Sequence, residues 1–251
     1  MAPLLSLAHV TKHYLDGRRD TVVLKNVSLQ IEEGDFMGIW GPKRSGKSTL
    51  LRLMAGIERP NSGKVSFGGR EMQAMSARER ARLLRRDGIA LVSSEWHTQI
   101  VRPAVELVAT ACASDGTPMG EARTLARKAL ARVDAVDCAD VRTDRLALGE
   151  RLRVALAMAL VREPRLLLVD EPAVLPSPLE SDELYTLLRS LGEDRRLAVV
   201  IASENLAATS GAPRTMAVSS GEVRSMDQTG VIVPFPAPPA LRAARFDDAL
   251  S

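Results

Sequence analysis

Gly41-Pro42-Lys43-Arg44-Ser45-Gly46-Lys47-Ser48 is the stretch whose reading decides the fold. It fits the pattern G-x-x-x-x-G-K-[ST] of a phosphate-binding loop. Its context fits as well. Phe36 to Trp40 is a short apolar run that ends at Gly41. From Lys47 onward Leu50, Leu51, Leu53 and Met54 recur at helical spacing, with Gly56 as the expected C-cap. The glycines let backbone N–H groups turn inward around a polyphosphate, and the helix starting near Lys47 points its positive dipole end at the same anion. Lys47 is placed to reach the β- and γ-phosphates, and the Ser48 hydroxyl to ligate Mg²⁺. The plain alternative is a Gly-rich turn that happens to precede a helix.

A second stretch belongs with the first. Leu166-Leu167-Leu168-Val169-Asp170-Glu171-Pro172 is an apolar strand that delivers Asp170 to its C-terminal end. That is where ligands of open α/β sheets bind. Asp170 can hold Mg²⁺ directly or through water. Glu171 can orient an attacking water or accept its proton. Alone, the stretch reads equally well as a buried strand ending in solvated acids.

The rest of the chain supplies a frame. Its 251 residues suit one large domain or two small ones. Lys plus Arg is 34 and Asp plus Glu 31, a near balance that gives no support to a nucleic-acid partner. Hydrophobic residues make up 45%, enough for a core. The apolar run Val154 to Val161 is far short of the roughly 20 residues of a membrane-spanning helix. No signal peptide is expected, and Cys112 and Cys138 show neither a disulfide framework nor metal-ligand spacing. The expected compartment is the cytoplasm.

Leu4 to Val10 and Val22 to Ile31 read as strands around the turn Asp16 to Asp20. Asn61-Ser62-Gly63 reads as a turn before a strand from Lys64 to Phe67, and Ser76-Ala77-Arg78-Glu79 as a capping box. Residues 103 to 162 are Ala-, Leu- and Arg-rich with helical spacing. Leu166 to Val169 and Leu197 to Ala202 are pure apolar runs, as in a parallel sheet buried on both faces. Four of the 14 prolines fall between Pro234 and Pro239, which predicts an extended tail over 226–251.

Taken in order, these residues resemble the ATP-binding cassette (ABC) ATPases from about Leu4 to Ser225. Leu24 to Leu29, Gly34-Asp35-Phe36, Ser48 to Arg52 and Pro60 to Val65 carry the resemblance further. Arg151 to Asp170 looks like the helix and strand joining the family's signature motif to its second phosphate-site motif. The style of Arg70 to Arg86 is closest to the lipoprotein-release and macrolide-export class. The resemblance implies an α/β fold: a P-loop NTPase core of ABC type with N-terminal antiparallel strands. It implies one domain over 1–225, and the 123 positions from Lys47 to Asp170 leave room for an inserted helical subdomain at about 75–145. It implies ATP and Mg²⁺ as ligands, bound by residues 41–49 from Gly41 through Pro42, Lys43, Arg44, Ser45, Gly46, Lys47 and Ser48 to Thr49. Tyr14, 27 positions before Gly41, resembles the aromatic that stacks on adenine; a surface loop tyrosine is the alternative. Metal ligation falls to Ser48 and Asp170, and general-base work to Glu171.

Several family positions carry unusual residues. The signature Leu-Ser-Gly-Gly-Gln falls on Leu146-Ala147-Leu148-Gly149-Glu150. Ala147 lacks the hydroxyl for a γ-phosphate, Leu148 puts bulk where glycine admits close approach, and Glu150 faces an anion with a negative charge. Ser94 stands for the usual coupling glutamine, Ser203 for the switch histidine, and Ser177 for the aspartate after the catalytic glutamate. The expectation is an ATP-binding subunit with weak intrinsic hydrolysis. It would sit on the inner face of the cell membrane beside a permease and pair with a second, more complete ATPase in preference to a second copy. A nucleotide-gated regulatory module that transports nothing, and drift in a non-functional copy, are the competing readings. A DNA-repair or chromosome ATPase is disfavoured, because the long coiled-coil or metal-binding insertions are absent.

Overall fold

The computed structural model describes residues 2–17, 19–84, 88–93, 100–114, 116–171, 178–194, 196–209, 211–226 and 232–233. Ser94, Ser177 and most of the proline-rich tail lie outside them. In chain order the elements begin with β1 (Leu5–Asp16), β2 (Arg19–Ile31), β3 (Phe36–Trp40), α1 (Lys47–Met54), β4 (Ser62–Phe67), β5 (Arg70–Glu71), α2 (Ala77–Leu83) and β6 (Ile89–Ser93). They continue with α3 (Ala104–Ala113), α4 (Met119–Arg132), α5 (Leu148–Leu160), β7 (Leu166–Asp170), α6 (Pro178–Gly192), β8 (Ala198–Ser203), α7 (Leu206–Thr209), β9 (Arg214–Ser219), β10 (Glu222–Met226) and β11 (Ile232–Val233).

Two sheets form. A four-stranded sheet of order β2-β1-β4-β5 is antiparallel throughout. A seven-stranded sheet runs β11-β10-β9-β3-β8-β7-β6, parallel from β9 to β6 and antiparallel at β10 and β11. β1 runs on to Asp16, beyond the expected end at Val10. The register shifts between Leu7 and Val10 and again around Lys12, and His9 takes a positive φ of 53°. Such bulges break the apolar alternation that marks a strand in sequence. β4 likewise starts at Ser62, inside the expected turn, where Ser62 pairs with Thr11.

The apolar runs of β7 and β8 serve two cores by alternation. Leu166, Leu168, Ala198, Val200 and Ala202 face a core shared with α1 and the antiparallel sheet. Leu167, Val169, Val199 and Ile201 face the opposite core, built with α3, α4, α5 and α6. Both faces of the sheet are therefore covered, which explains why neither strand shows polar alternation. Within 75–145, Ile89–Ser93 is an edge strand of the large sheet, and the long helices α3 and α4 begin after it.

The local signals behave as their chemistry requires. α1 ends in a Schellman arrangement: Ile57 N–H donates to Arg52 O at 3.0 Å and Gly56 N–H to Leu53 O at 3.0 Å. The capping box at α2 is complete. Ser76 Oγ accepts from Glu79 N–H at 3.2 Å, and Glu79 Oε2 accepts from Ser76 N–H at 2.8 Å.

Candidate functional site

Strand register assembles the site. β3 lies beside β8, and β8 beside β7. Trp40 pairs with Ser203, and Asp170 with Ala202 and with Ser93, so the C-terminal ends of β3, β8, β7 and β6 lie in one row. The 41–46 loop leaves β3 at this edge and enters α1.

The loop's backbone is set by two glycines. Gly46 adopts φ 108°, a conformation that favours glycine, and leads into α1 at Lys47. A Cβ on Gly41 would lie 2.4 Å from Val218 O and 2.8 Å from Ser45 Oγ. Arg44 also takes a positive φ, 61°, with a full side chain. α1 carries no side-chain cap and no acidic residue in its first turn. Ser45 Oγ is buried and has no hydrogen-bond partner among the described residues. A buried hydroxyl without a partner is costly unless a ligand completes it, so Ser45 fits a loop built to take phosphate oxygens.

Lys47 is the centre of the site. Only 5% of its side chain is exposed, and its ammonium lies 2.8 Å from Gly41 O, 3.1 Å from Pro42 O and 3.0 Å from Glu171 Oε1. Ser48 Oγ donates to Asp170 Oδ1 at 3.1 Å. Burial raises the pKa of Asp170, and the Ser48 hydroxyl opposes that rise. Two hard oxygens this close fit a Mg²⁺ ion that draws its other ligands from water and phosphate. Among the described residues no cluster of three or more His, Cys, Asp or Glu forms a metal cage.

Glu171 sits just past β7 with φ 45°. Its N–H donates to Ala202 O at 2.8 Å. Its Oε2 accepts from Ser203 Oγ at 3.4 Å and from Glu204 N–H at 3.3 Å. Ser203 is buried at the end of β8, and its Oγ accepts from Asn205 N–H at 3.1 Å. Tyr14 reaches the site from β1. Its phenol donates to Glu58 Oε2 at 2.5 Å and lies 3.3 Å from Thr49 Oγ1, while Lys12 Nζ is 4.9 Å from the ring centroid. Burial and then the Glu58 bond push the phenol's pKa up.

The other expected residues lie on a separate element. Ala147 precedes α5, Leu148 opens it, and Leu148 is 43% exposed. Ala147 offers no side-chain cap; instead Glu150 Oε2 accepts from Ala147 N–H at 2.8 Å.

The sequence pattern described as ABC transporter matches residues 24–174. This chain belongs to the ABC transporter family. The lipoprotein-releasing system ATP-binding protein LolD of Colwellia psychrerythraea is 30% identical over 226 residues, covering 90% of this chain and 87% of LolD. The macrolide export ATP-binding/permease protein MacB of Burkholderia lata is 34% identical over 223 residues, covering 88% of this chain but only 32% of MacB. A solved structure of the dimeric ATP-binding cassette MJ0796, bound to ADP and Pi after hydrolysis, superposes with a TM-score of 0.81 at 27% identity. That match covers 90% of this chain and 100% of the other. CbiO1 of Clostridium perfringens, part of the complex cbiONQ, gives a TM-score of 0.76 at 27% identity over 89% of this chain and 87% of its own.

In this ABC cassette the structure brings Lys47, Ser48, Asp170, Glu171 and Ser203 together and ties Tyr14 to Thr49 beside them. It leaves Leu148, Gly149 and Glu150 in the first turn of α5 and Ala147 just before it. The positions Ser94 and Ser177 fall outside the described residues. Two participants escaped the sequence reading. Glu204 lends its N–H to Glu171 and its carboxylate to Lys43 at 3.4 Å; its place next to Ser203 was the available signal. Glu58 anchors Tyr14, and no motif marks it. No helix among the described residues is long and apolar enough to cross a membrane.

Proposed function

We propose that this chain binds Mg-ATP in the 41–49 loop and acts as the ATP-binding subunit of a transporter, driving or gating a membrane permease from the cytoplasmic face. The observation that carries the reading is the convergence of Lys47, Ser48, Asp170 and Glu171 at one sheet edge. Lys47 and the N–H groups opening α1 would hold the phosphates, and Ser45 Oγ would gain a partner. Ser48 and Asp170 would hold Mg²⁺, which supplies charge neutralisation at the β- and γ-phosphates. Tyr14 would stack on the base, its ring fixed through Glu58 and Thr49. Glu171 would orient the attacking water and accept its proton.

The reading includes weak turnover by the chain alone. Glu150 presents a carboxylate and Leu148 an exposed side chain at the start of α5. Both would oppose a γ-phosphate approaching that end. A partner ATPase with a complete signature would restore one composite site around Lys47, so a heterodimer suits this chain better than a pair of copies. The helical stretch within 75–145 would dock the permease. The relatives LolD and MacB carry lipoprotein release and macrolide export in their names. The engagement of Glu150 with its own helix also favours a second reading, a nucleotide-gated module that regulates an envelope complex without pumping.

Affinity purification from membranes tests both. Co-purification of a permease and a second ATPase supports the transporter reading. A permease-free envelope complex supports the regulatory one. Calorimetric titration with a non-hydrolysable ATP analogue tests the nucleotide site itself, and no binding by the wild-type chain would overturn it.

A further inference from the structure

Ser203, buried at the end of β8, is hydrogen-bonded to the Glu171 carboxylate. We infer that Ser203, with the N–H of Glu204, positions the Glu171 carboxylate as an internal anion on Lys47, so that a nucleotide's phosphates must displace Glu171 to bind. Ser203 is thus a positioning residue acting through Glu171. The inference rests on nucleotide binding at the 41–49 loop.

Both partners are engaged. Lys47 donates to Gly41 O at 2.8 Å and Pro42 O at 3.1 Å, and its ammonium forms an ion pair with Glu171 Oε1 at 3.0 Å. Glu171 uses Oε1 on Lys47 and Oε2 on Ser203 Oγ and Glu204 N–H. Ser203 Oγ accepts from Asn205 N–H, which leaves its own hydrogen to point at the carboxylate. Ser203 is buried, so its hydroxyl is not shared with bulk water. The backbone of Glu171 is held in the left-handed region at φ 45° with its N–H on Ala202 O. A backbone held in this region and tied through its N–H restricts where the side chain can point.

A phosphate at Lys47 therefore competes with a carboxylate already there. Releasing Glu171 frees it at the moment the phosphates arrive, which couples nucleotide entry to release of the general base. Ligand affinity is reduced by the fraction of molecules in which the internal pair is closed.

Calorimetric titration with ADP in the absence of Mg²⁺ tests this. ADP lacks a γ-phosphate and keeps dimer closure out of the measurement, and sedimentation velocity checks that the chain remains monomeric. Lys47→Ala is the control for the nucleotide reading: if wild type and Lys47→Ala bind ADP alike, that reading and this inference both fall. Given a Lys47-dependent signal, Glu171→Gln should bind ADP about threefold to tenfold more tightly than wild type. Ser203→Ala should tighten it about twofold, and Ser203→Thr should restore the wild-type value. In the Glu171→Gln background, Ser203→Ala should add nothing, because the hydroxyl acts only through that carboxylate. Glu204→Gln removes the same charge from the neighbourhood while leaving the Glu204 N–H in place. Tightening equal to that of Glu171→Gln would show a general field effect and overturn the inference. So would unchanged affinity in Glu171→Gln, or a Ser203→Ala effect that persists undiminished without Glu171. Thermal melts of each variant separate these outcomes from misfolding.

Discussion

Two helix N-termini in this chain, α1 and α5, are built in opposite ways. α1 follows a glycine in the left-handed region and has neither a side-chain cap nor an acid in its first turn. α5 carries Glu150 in its first turn, with the carboxylate folded back onto Ala147 N–H at 2.8 Å. A helix start carries partial positive charge. At α1 the internal carboxylate is Glu171, which pairs with the Lys47 side chain at 3.0 Å and leaves the helix's first N–H groups without a side-chain cap. At α5 the internal carboxylate, Glu150, takes a backbone N–H at the helix start itself. The two ends differ in whether the chain's own carboxylate caps the backbone or only the neighbouring cation.

The largest expected effect is on turnover. The purified chain alone should hydrolyse ATP about 10²–10³-fold below the usual enzyme median of roughly 10 s⁻¹, the typical cost of one lost preorganised phosphate contact. A phosphate-release assay reading about 10 s⁻¹ for the lone chain would show that α5 is not impaired. The next largest effect concerns α1. Lys47→Ala should lower affinity for a non-hydrolysable ATP analogue by about 30-fold to 10³-fold, on the order of 2–4 kcal/mol. Calorimetry giving equal affinities would deny α1 its role.

Converting α5 toward the α1 pattern should sharpen the contrast. Ala147→Ser, Leu148→Gly and Glu150→Gln together should strengthen ATP-dependent association about tenfold in sedimentation or cross-linking. In the free chain the cost of glycine at Leu148 and of the lost charge at Glu150, about 1 kcal/mol, should be offset by the capping hydroxyl gained at Ala147, leaving Tm nearly unchanged. Glu150→Gln alone should lower Tm slightly; an unchanged Tm in that single variant would mean the Glu150 charge does not stabilise α5.

The smallest effect is on stability at Asp170. Burial raises its pKa, so the charged carboxylate penalises the fold at neutral pH. For a carboxylate with a folded pKa above its unfolded value, the penalty is full above the folded pKa and fades as pH falls through it. Asp170→Asn should therefore raise Tm by about 2–4 °C at neutral pH, with the gap to wild type closing on acidification, while Mg²⁺-dependent nucleotide binding is lost. A lower Tm for Asp170→Asn at neutral pH would show that the Ser48 bond outweighs burial.

Much of the molecule was legible in local pattern. Phe36–Trp40 emerged as a strand with the expected ends, α1 begins at Lys47, and Ser76 and Glu79 form the expected box. Each depends on residues a few positions apart. β1 runs six residues past the end its apolar alternation predicts, because bulges near His9 and Lys12 interrupt that alternation. Ser203 was legible only as an expected departure from the pattern of the family the sequence resembles. That its hydroxyl meets Glu171, 32 positions away, was not.

By itself the sequence determined the phosphate loop and the strand that carries Asp170 and Glu171, because turns, caps and apolar periods act between near neighbours. Tertiary structure decided what those residues face. Lys47 meets Glu171, Ser48 meets Asp170, and Tyr14 meets Glu58 only because β8 lies between β3 and β7 and the antiparallel sheet packs against α1. The order and register of those strands are fixed by burying both faces of β7 and β8, a property of the whole chain and of no single stretch.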